Sequence, residues 1–296
     1  MPFGAIRIGV GPIGWVNDDL REWGADTPTA QVLAEIAAAG FAGTEMSYRF
    51  PAGPAALRRE LGGHGLVLAG AYRWCNLASA DPELRAAEIA ATRAHLAFCA
   101  AAGATAAVVA EGTGSLHWDR TGPRTAVEPL DGPAWRRLAD GLAELGQAAA
   151  AQGVRLCFHP HGGTPVETED DIDRLCRESD VALCPDTGHI RYGGGDPARV
   201  IARHARRVAY VHAKDVRGAV LAEVRRERLT FVEAVRRNVF CTPGAGDIDF
   251  AAALAPLAGV GYTGWIVVEA EQDPALHPAF PASRAARAYL GRVVGA

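Results

Sequence analysis

Four apolar segments of the sequence are each followed by at least one side chain of a type that binds divalent metal ions. The segments and the residues after them are 154–158 with His159 and His161, 181–183 with Asp186 and His189, 208–211 with His212 and Lys214, and 265–268 with Glu269 and Glu271. Imidazole and carboxylate groups are common ligands for divalent ions. One histidine or aspartate at such a position would carry little weight, but the repetition indicates a shared metal centre.

We predict that His159, Asp186, His212 and Glu269 bind one divalent ion. Two neutral imidazoles and two carboxylates make a mixed nitrogen and oxygen donor set. Such a set suits Mn²⁺, Co²⁺, Fe²⁺ or Zn²⁺ better than Mg²⁺ or Ca²⁺, which prefer oxygen ligands throughout. An octahedral ion with four protein ligands keeps two open positions, which would allow it to chelate a vicinal keto-alcohol.

Three further residues are candidates for proton transfer. His189 can act as a base or an acid near neutral pH. Lys214, the only lysine in the sequence, would polarise a carbonyl or support an enolate, or else form a salt bridge with Asp186 or Asp215. Beside a metal ion we expect the pKa of Lys214 to fall. Glu111, which ends another apolar segment, is the reserve candidate.

Four residues are candidates for substrate binding, and three of them have an alternative role. Glu45 ends a weak strand and would bind a sugar hydroxyl or transfer a proton. His161 lies on the loop after segment 154–158, close to the predicted metal ion. Arg217 would hold a polar substrate or lie exposed. Trp15 would stack on the C–H face of a sugar or pack at the rim of the site.

Apolar segments alternate with helical patterns along the whole chain, without a polar linker. About eight strand–helix units follow one another, which predicts a parallel, closed (β/α)8 TIM barrel formed as a single domain by residues 1–296. In such a barrel all strands end on one face, so the four predicted ligands would meet there. An open doubly wound sheet is the alternative, with Gly9, Gly11 and Gly14 as a phosphate-binding turn. Pro12 argues against it, because proline has no backbone donor.

The net charge, the apolar runs and the cysteines of the sequence argue against several classes of protein. The net charge of −4 does not suggest a nucleic-acid surface. No apolar run approaches the ~18 residues of a membrane-spanning helix, and the N-terminus lacks the pattern of a signal peptide. The six cysteines are scattered without a Cys-x-x-Cys pair. We therefore expect free thiols and a cytoplasmic protein.

Several motifs resemble the myo-inosose-2 dehydratases of inositol catabolism, a family of xylose-isomerase-like barrels. The resemblance extends from about Gly9 to Leu290. It rests on Gly11-Pro-Ile-Gly-Trp-Val-Asn-Asp-Asp19, Gly43-Thr-Glu45, Asp186-Thr-Gly-His189, His212-Ala-Lys-Asp-Val-Arg217, Pro243-Gly-Ala-Gly-Asp-Ile-Asp249 and Gly264-Trp-Ile-Val-Val-Glu-Ala-Glu-Gln-Asp-Pro274. The Asp-Thr-Gly-His and His-x-Lys-Asp elements recur across the wider superfamily, whereas the first and last motifs are narrower.

The resemblance implies a dehydration of 2-keto-myo-inositol to a trihydroxycyclohexane dione, assisted by Mn²⁺ or Co²⁺. In the superfamily the fifth strand usually ends in a metal-binding glutamate, and here His159 stands in that position. The segment reads His159-Pro-His161-Gly-Gly163, and Pro160 and Gly162 leave open which imidazole reaches the metal.

Other functions compete with this expectation. A metal-dependent isomerase or epimerase of a free sugar would share the first step, which is proton abstraction next to a carbonyl. A DNA phosphodiesterase of the same superfamily would want more histidines on the second and third strand ends and a basic cleft. A metal-binding role without catalysis would leave the loop residues without purpose. We expect a small polyol or sugar substrate and no nucleic-acid or membrane partner; a homo-oligomer stays open.

Overall fold

The computed structural model of the chain describes residues 5–119 and 127–295. The strands are β1 (Arg7–Val10), β2 (Gly43–Glu45), β3 (Val67–Cys75), β4 (Ala106–Glu111), β5 (Arg155–Phe158), β6 (Ala182–Leu183), β7 (Tyr210–Ala213), β8 (Asp215–Val216), β9 (Phe240–Cys241) and β10 (Trp265–Val268). The α-helices are α1 (Thr29–Ala38), α2 (Pro54–Gly63), α3 (Pro82–Ala102), α4 (Gly132–Ala150), α5 (Glu169–Glu178), α6 (Thr187–Tyr192), α7 (Pro197–His204), α8 (Gly218–Glu227), α9 (Phe231–Arg236), α10 (Phe250–Gly259) and α11 (Ala279–Val294).

Eight of these strands form one parallel sheet in the order β6-β5-β4-β3-β2-β1-β10-β7. The two edge strands meet through single bridges, Leu183 with Val208 and Asp186 with His212, so the sheet closes almost completely. Helices alternate with the strands along the chain. The predicted (β/α)8 TIM barrel is confirmed, and the strand ends therefore share one face.

Small side chains line most of the barrel interior and leave room for two large ones. Tyr210 and Trp265 are buried there, in a cluster with Ala69, Ala106, Val108, Cys157, Ala182, Cys184 and Val267. Glycine is required at position 43, because an added Cβ would lie 2.6 Å from the carbonyl oxygen of Val67 and 2.9 Å from the Trp265 indole. The interior is thus a packed core below the face where the strands end.

A second apolar layer lies between the barrel and its helices. In α1, for example, Val32, Leu33 and Ile36 are fully buried, at the spacing expected for one helix face. Among the described residues, we find no helix that is long and apolar enough to cross a membrane.

The chain after β7 adds a small two-stranded sheet to the barrel. Strand β8 pairs antiparallel with β9, and α8 and α9 lie between them in sequence. The carboxylate of Asp215 in β8 accepts hydrogen bonds from the backbone N–H groups of Gly244, Gly246 and Ile248 at 2.9, 2.9 and 3.0 Å. These bonds hold the loop after β9 against the carboxyl end of β7, next to the predicted site.

Candidate active site

A cavity of about 240 Å³ opens at the carboxyl ends of the barrel strands. Its lining includes two carboxylates from the loop after β1, one from β2, histidines after β5 and β6, and charged groups after β7 and β10. These residues are Asp18, Asp19, Glu45, His159, His161, His189, Lys214, Glu269 and Glu271. A larger groove at the opposite ends of β5 and β6 has Arg155 and Asp180 as its only charged lining residues. Of these two cavities, the one at the carboxyl ends of the strands therefore holds the histidines and most of the carboxylates.

The two carboxylate oxygens of Asp186 have different roles, because one caps a helix and the other faces the site. Oδ1 accepts a hydrogen bond from the backbone N–H of His189 at 2.9 Å and so caps the N-terminus of α6. Oδ2 is buried and has no hydrogen-bond partner. It lies 3.9 Å from Nδ1 of His212. The cap fixes the side chain so that one oxygen points towards the strand ends.

His212 lies within β7 and is held by Glu45 from the far side of the barrel. Its Nε2 donates to Oε1 of Glu45 at 3.0 Å, and the same oxygen accepts from the hydroxyl of Tyr210 at 3.0 Å. In the neutral imidazole the proton is then on Nε2 and the lone pair is on Nδ1. That nitrogen has no hydrogen-bond partner and lies 3.6 Å from Oε1 of Glu269. A carboxylate that orients a histidine in this way is typical of the residues that support metal ligands.

The buried donors at this face fit a divalent cation. Oδ2 of Asp186, Nδ1 of His212 and Nδ1 of His159 are buried without a hydrogen-bond partner among the described residues, although buried polar atoms are normally hydrogen-bonded. His212 and Glu269, with Glu45, also offer donor atoms that lie within 4.8 Å of one another. Mixed nitrogen and oxygen donors at such spacing are compatible with a divalent metal ion of the first transition series or zinc.

The two histidines after β5 have different surroundings. The ring of His159 lies 4.8 Å from the ring of His212. The ring of His161 instead stacks on His189 at 3.7 Å, and its Nδ1 donates to the carbonyl of Gly162 at 2.8 Å. His159 is therefore the one beside the Asp186–His212 pair, and His161 belongs to the wall formed by His189.

Lys214 is fully buried among three carboxylates. Its Nζ lies 2.5 Å from Glu271, 3.0 Å from Glu269 and 3.5 Å from Asp186, and also 3.0 Å from Nε2 of His189. Burial opposes the charge, but the carboxylates outweigh it and hold the pKa of Lys214 well above its ordinary value. Without a metal ion the pKa is thus raised, because three carboxylates surround the ammonium group, and the fall expected beside a bound ion stays a prediction. The salt bridge with Asp186 is present, whereas Asp215 faces the loop after β9.

Glycine at position 188 lets the Lys214 side chain reach this position. An added Cβ at Gly188 would lie 2.7 Å from Cγ of Lys214 and 2.9 Å from its Cβ. The neighbouring Thr187 hydroxyl donates to the Lys214 carbonyl at 2.6 Å. The first turn of α6 and the end of β7 are therefore locked together around the lysine.

Three acidic residues that were not predicted as metal ligands, catalytic groups or substrate-binding groups also belong to the site. Glu271 pairs with Lys214, and Asp18 and Asp19 line the cavity. Burial raises the pKa of Asp18 to about 6, although the Ser47 hydroxyl donates to its carboxylate at 3.1 Å. Asp19 accepts from the buried His117 at 3.0 Å. The sequence feature that could have indicated Asp18 and Asp19 is the pair of consecutive aspartates in the turn after the first strand. One of them would be enough to cap that turn.

Glu111 does not reach the cavity, which corrects its expected role in proton transfer. Its carboxylate accepts hydrogen bonds from the backbone N–H groups of Leu77, Ala78 and Thr113 at 3.0, 3.2 and 2.8 Å. Burial raises its pKa to about 7. Glu111 is a buried brace between the loops that follow β3 and β4.

Two expected substrate-binding residues also point elsewhere. Trp15 is only 3% exposed, and its indole N–H donates to Glu35 at 2.6 Å, so its faces are unavailable for stacking on a sugar. The guanidinium of Arg217 donates to the carbonyls of Asn238 and Phe240 at 2.6 and 2.8 Å and to the Gln272 side chain at 3.0 Å. Arg217 therefore holds the loops after α9 and β10 and does not line the cavity.

The fold and this site together define a class of enzyme. A family model described as "Xylose isomerase-like TIM barrel" matches residues 33–292, so the chain belongs to that family. Solved structures agree on the fold. An L-ribulose 3-epimerase superposes with a TM-score of 0.72 at 21% identity, covering 98% of this chain and 95% of that chain. A D-psicose 3-epimerase superposes with a TM-score of 0.71 at 18% identity, covering 98% and 100%.

Within this class the chain belongs to the inosose dehydratase family. It is 40% identical to an inosose dehydratase of Geobacillus kaustophilus (strain HTA426) over 98% of this chain and 95% of the relative. It is also 41% identical to the rhizopine catabolism protein MocC of Rhizobium meliloti, over 92% of this chain and 85% of the relative. The family recognised in the sequence motifs is thereby confirmed.

Proposed function

We propose that this chain is a cytoplasmic, metal-dependent hydro-lyase that removes water from 2-keto-myo-inositol (inosose). The observation that carries the proposal is the 40% identity to an inosose dehydratase over 98% of the chain. The six free cysteines support a reducing compartment.

His159, Asp186, His212 and Glu269 would hold one divalent ion, with Mn²⁺ or Co²⁺ favoured and Zn²⁺ or Fe²⁺ as alternatives. The support is the set of buried, unpartnered donor atoms around Nδ1 of His212. When bound, the ion supplies Lewis-acid polarisation of the substrate ketone. Glu45 keeps the His212 ring in the orientation that leaves Nδ1 free.

Elimination of water next to a ketone needs a base for the adjacent C–H and an acid for the departing hydroxyl. His189 and Lys214 lie 3.0 Å apart, and both line the cavity, so they are our candidates for proton transfer. Glu271 positions the Lys214 ammonium, which would donate a hydrogen bond to the oxyanion as the C–H proton leaves.

Other residues that line the cavity suit a polyol. Asp18 and Asp19 accept hydrogen bonds, as hydroxyl groups on a ring require, and Trp74 adds an aromatic face. His161 would bind a ring hydroxyl through the nitrogen that does not contact Gly162. A wall with this many carboxylates would repel a phosphodiester backbone, which argues against a nuclease.

The test is to incubate metal-loaded protein with inosose and with a panel of ketoses. We expect the absorbance of the unsaturated product to appear with inosose, together with loss of one water by mass spectrometry. Formation of an isomer of unchanged mass would favour a sugar epimerase instead. Repeating the assay after metal removal and reconstitution with Mn²⁺, Co²⁺, Zn²⁺ or Fe²⁺ would identify the preferred ion.

A second candidate substrate comes from the 41% identity to a rhizopine catabolism protein. A ketone formed in rhizopine catabolism is therefore a second candidate substrate. Comparing kcat/KM for that ketone and for inosose decides between them.

A further inference from the structure

The thiol of Cys184 lies inside the barrel, below the face that carries the predicted metal ligands. Cys184 is fully buried and belongs to the interior cluster with Cys157 and Tyr210. It precedes Asp186 by two residues in an extended segment, so both side chains point to the same side. Its sulfur and one ring nitrogen each of His159 and His212 all lie within 4.8 Å of one another.

Two features of the imidazoles point to a ligand here. His159 and His212 are 2% and 1% exposed, and Nδ1 of each is buried without a hydrogen-bond partner. Zinc binds cysteine sulfur at ~2.3 Å and histidine nitrogen at ~2.0–2.1 Å, so donor atoms on one tetrahedral ion lie roughly 3.4–3.6 Å apart. Donor atoms that lie up to 4.8 Å apart would therefore have to move closer together when the ion binds.

We propose that His159, Cys184 and His212 form a second metal-binding mode, selective for thiophilic divalent ions such as Zn²⁺ and Cd²⁺. Ions of this kind favour thiolate and imidazole donors, whereas Mn²⁺ favours carboxylates. On binding, a metal–sulfur bond forms and the thiol proton passes to solvent.

This mode shares both imidazoles with the centre formed by Asp186 and Glu269. The two modes therefore exclude each other. Only this competition rests on the function proposed above; the thiolate site itself does not. The predicted consequence is a dehydratase that Zn²⁺ or Cd²⁺ inhibits by displacing Mn²⁺.

The experiment adds Cd²⁺ to the full-length, metal-free protein and records the thiolate-to-cadmium charge-transfer absorbance. Cys184→Ser removes the proposed ligand, and Cys157→Ser is the matched control, because both cysteines are buried in the same interior cluster. We expect the band in the wild type and in Cys157→Ser, and its loss in Cys184→Ser. A band of full intensity in Cys184→Ser would overturn the proposal, because another thiol would then be the ligand.

If Cys184→Ser does not fold, X-ray absorption of the wild-type cadmium complex provides the test. One sulfur and two imidazoles around cadmium support the proposal, and a shell without sulfur contradicts it. Release of bound Mn²⁺, followed by electron paramagnetic resonance during Cd²⁺ addition, tests the competition. A wild type that binds Cd²⁺ through sulfur but does not dehydrate inosose would refute the proposed function alone. Dehydration without a cadmium–sulfur bond would refute only this inference.

Discussion

Nε2 of His212 lies 3.0 Å from Oε1 of Glu45, and this contact determines which nitrogen of the imidazole is free. The two residues are far apart in sequence and come from β7 and β2. In the neutral imidazole this contact places the proton on Nε2, and Nδ1, which then carries the lone pair, faces Asp186 and Glu269. Glu45, expected from the sequence to touch substrate, therefore also orients a predicted metal ligand.

Glu45→Gln should weaken metal binding by ~10–100-fold, the usual effect of losing a group that supports a metal ligand. The amide oxygen can still accept from Nε2, so the fold should persist while the ligand loses basicity. Titration calorimetry with Mn²⁺ would measure the change. Glu60→Gln, at an exposed position on α2, serves as the control. Equal affinities in the three proteins would show that Glu45 has no influence on the metal.

Asp186→Asn should abolish metal binding and turnover but leave the apo-protein nearly as stable as the wild type. Asparagine caps helices about as well as aspartate, so the N-terminus of α6 keeps its hydrogen bond. Asp186→Ala should additionally destabilise the apo-protein by about 1 kcal/mol through loss of the cap. Metal analysis and thermal unfolding separate these effects. Full metal content in both variants would contradict the ligand role of Asp186.

His189→Ala should retain the metal and lower kcat by ~10²–10⁴-fold, the range for loss of one acid–base group. Removing a histidine outside the cavity is the matched control. His204→Ala breaks a hydrogen bond to Asp173 on the helical layer and should leave kcat unchanged. A kcat for His189→Ala within about threefold of the wild type would make this residue a bystander, because that is far below the loss expected for an acid–base group.

Lys214→Met should destabilise the protein by about 3–5 kcal/mol, because it leaves buried carboxylates without their counter-charge. Adding Glu271→Gln removes one of those charges and should restore part of the lost stability. Urea unfolding of the two single variants and the double variant completes the cycle. Strictly additive losses would mean that the 2.5 Å contact between Lys214 and Glu271 contributes no coupling energy.

Glu111 should make the protein less stable as pH rises from about 4.5 to about 7. Burial raises its pKa in the folded state from 4.5 to about 7, so the native protein binds the proton more tightly than the unfolded chain. The stabilisation is complete below the lower value and is lost as pH passes the upper one, on the order of 3 kcal/mol in total. Glu111→Gln should remove this slope from the pH dependence of the unfolding free energy. An unchanged slope would show that the carboxylate titrates normally.

The periodic alternation of apolar segments and helical patterns was enough to predict the barrel, because each strand and helix has a local signal. The same reasoning brought His159, Asp186, His212 and Glu269 to one face, since parallel strands in a barrel end together. The sequence pattern does not show in which direction a side chain points. Trp15 and Arg217 both follow apolar strands in sequence, yet their side chains turn into the core and towards the loop carbonyls.

By itself, the sequence determined the fold, the family and the face on which the chemistry must lie, because all three follow from local periodicity and short motifs. Only the tertiary structure decided which groups meet. It paired Glu45 with His212, surrounded Lys214 with three carboxylates and sent Glu111 to brace two loops. These outcomes depend on how strands distant in sequence pack side by side. The sequence around a residue does not show the position or the charge of a neighbour across the barrel.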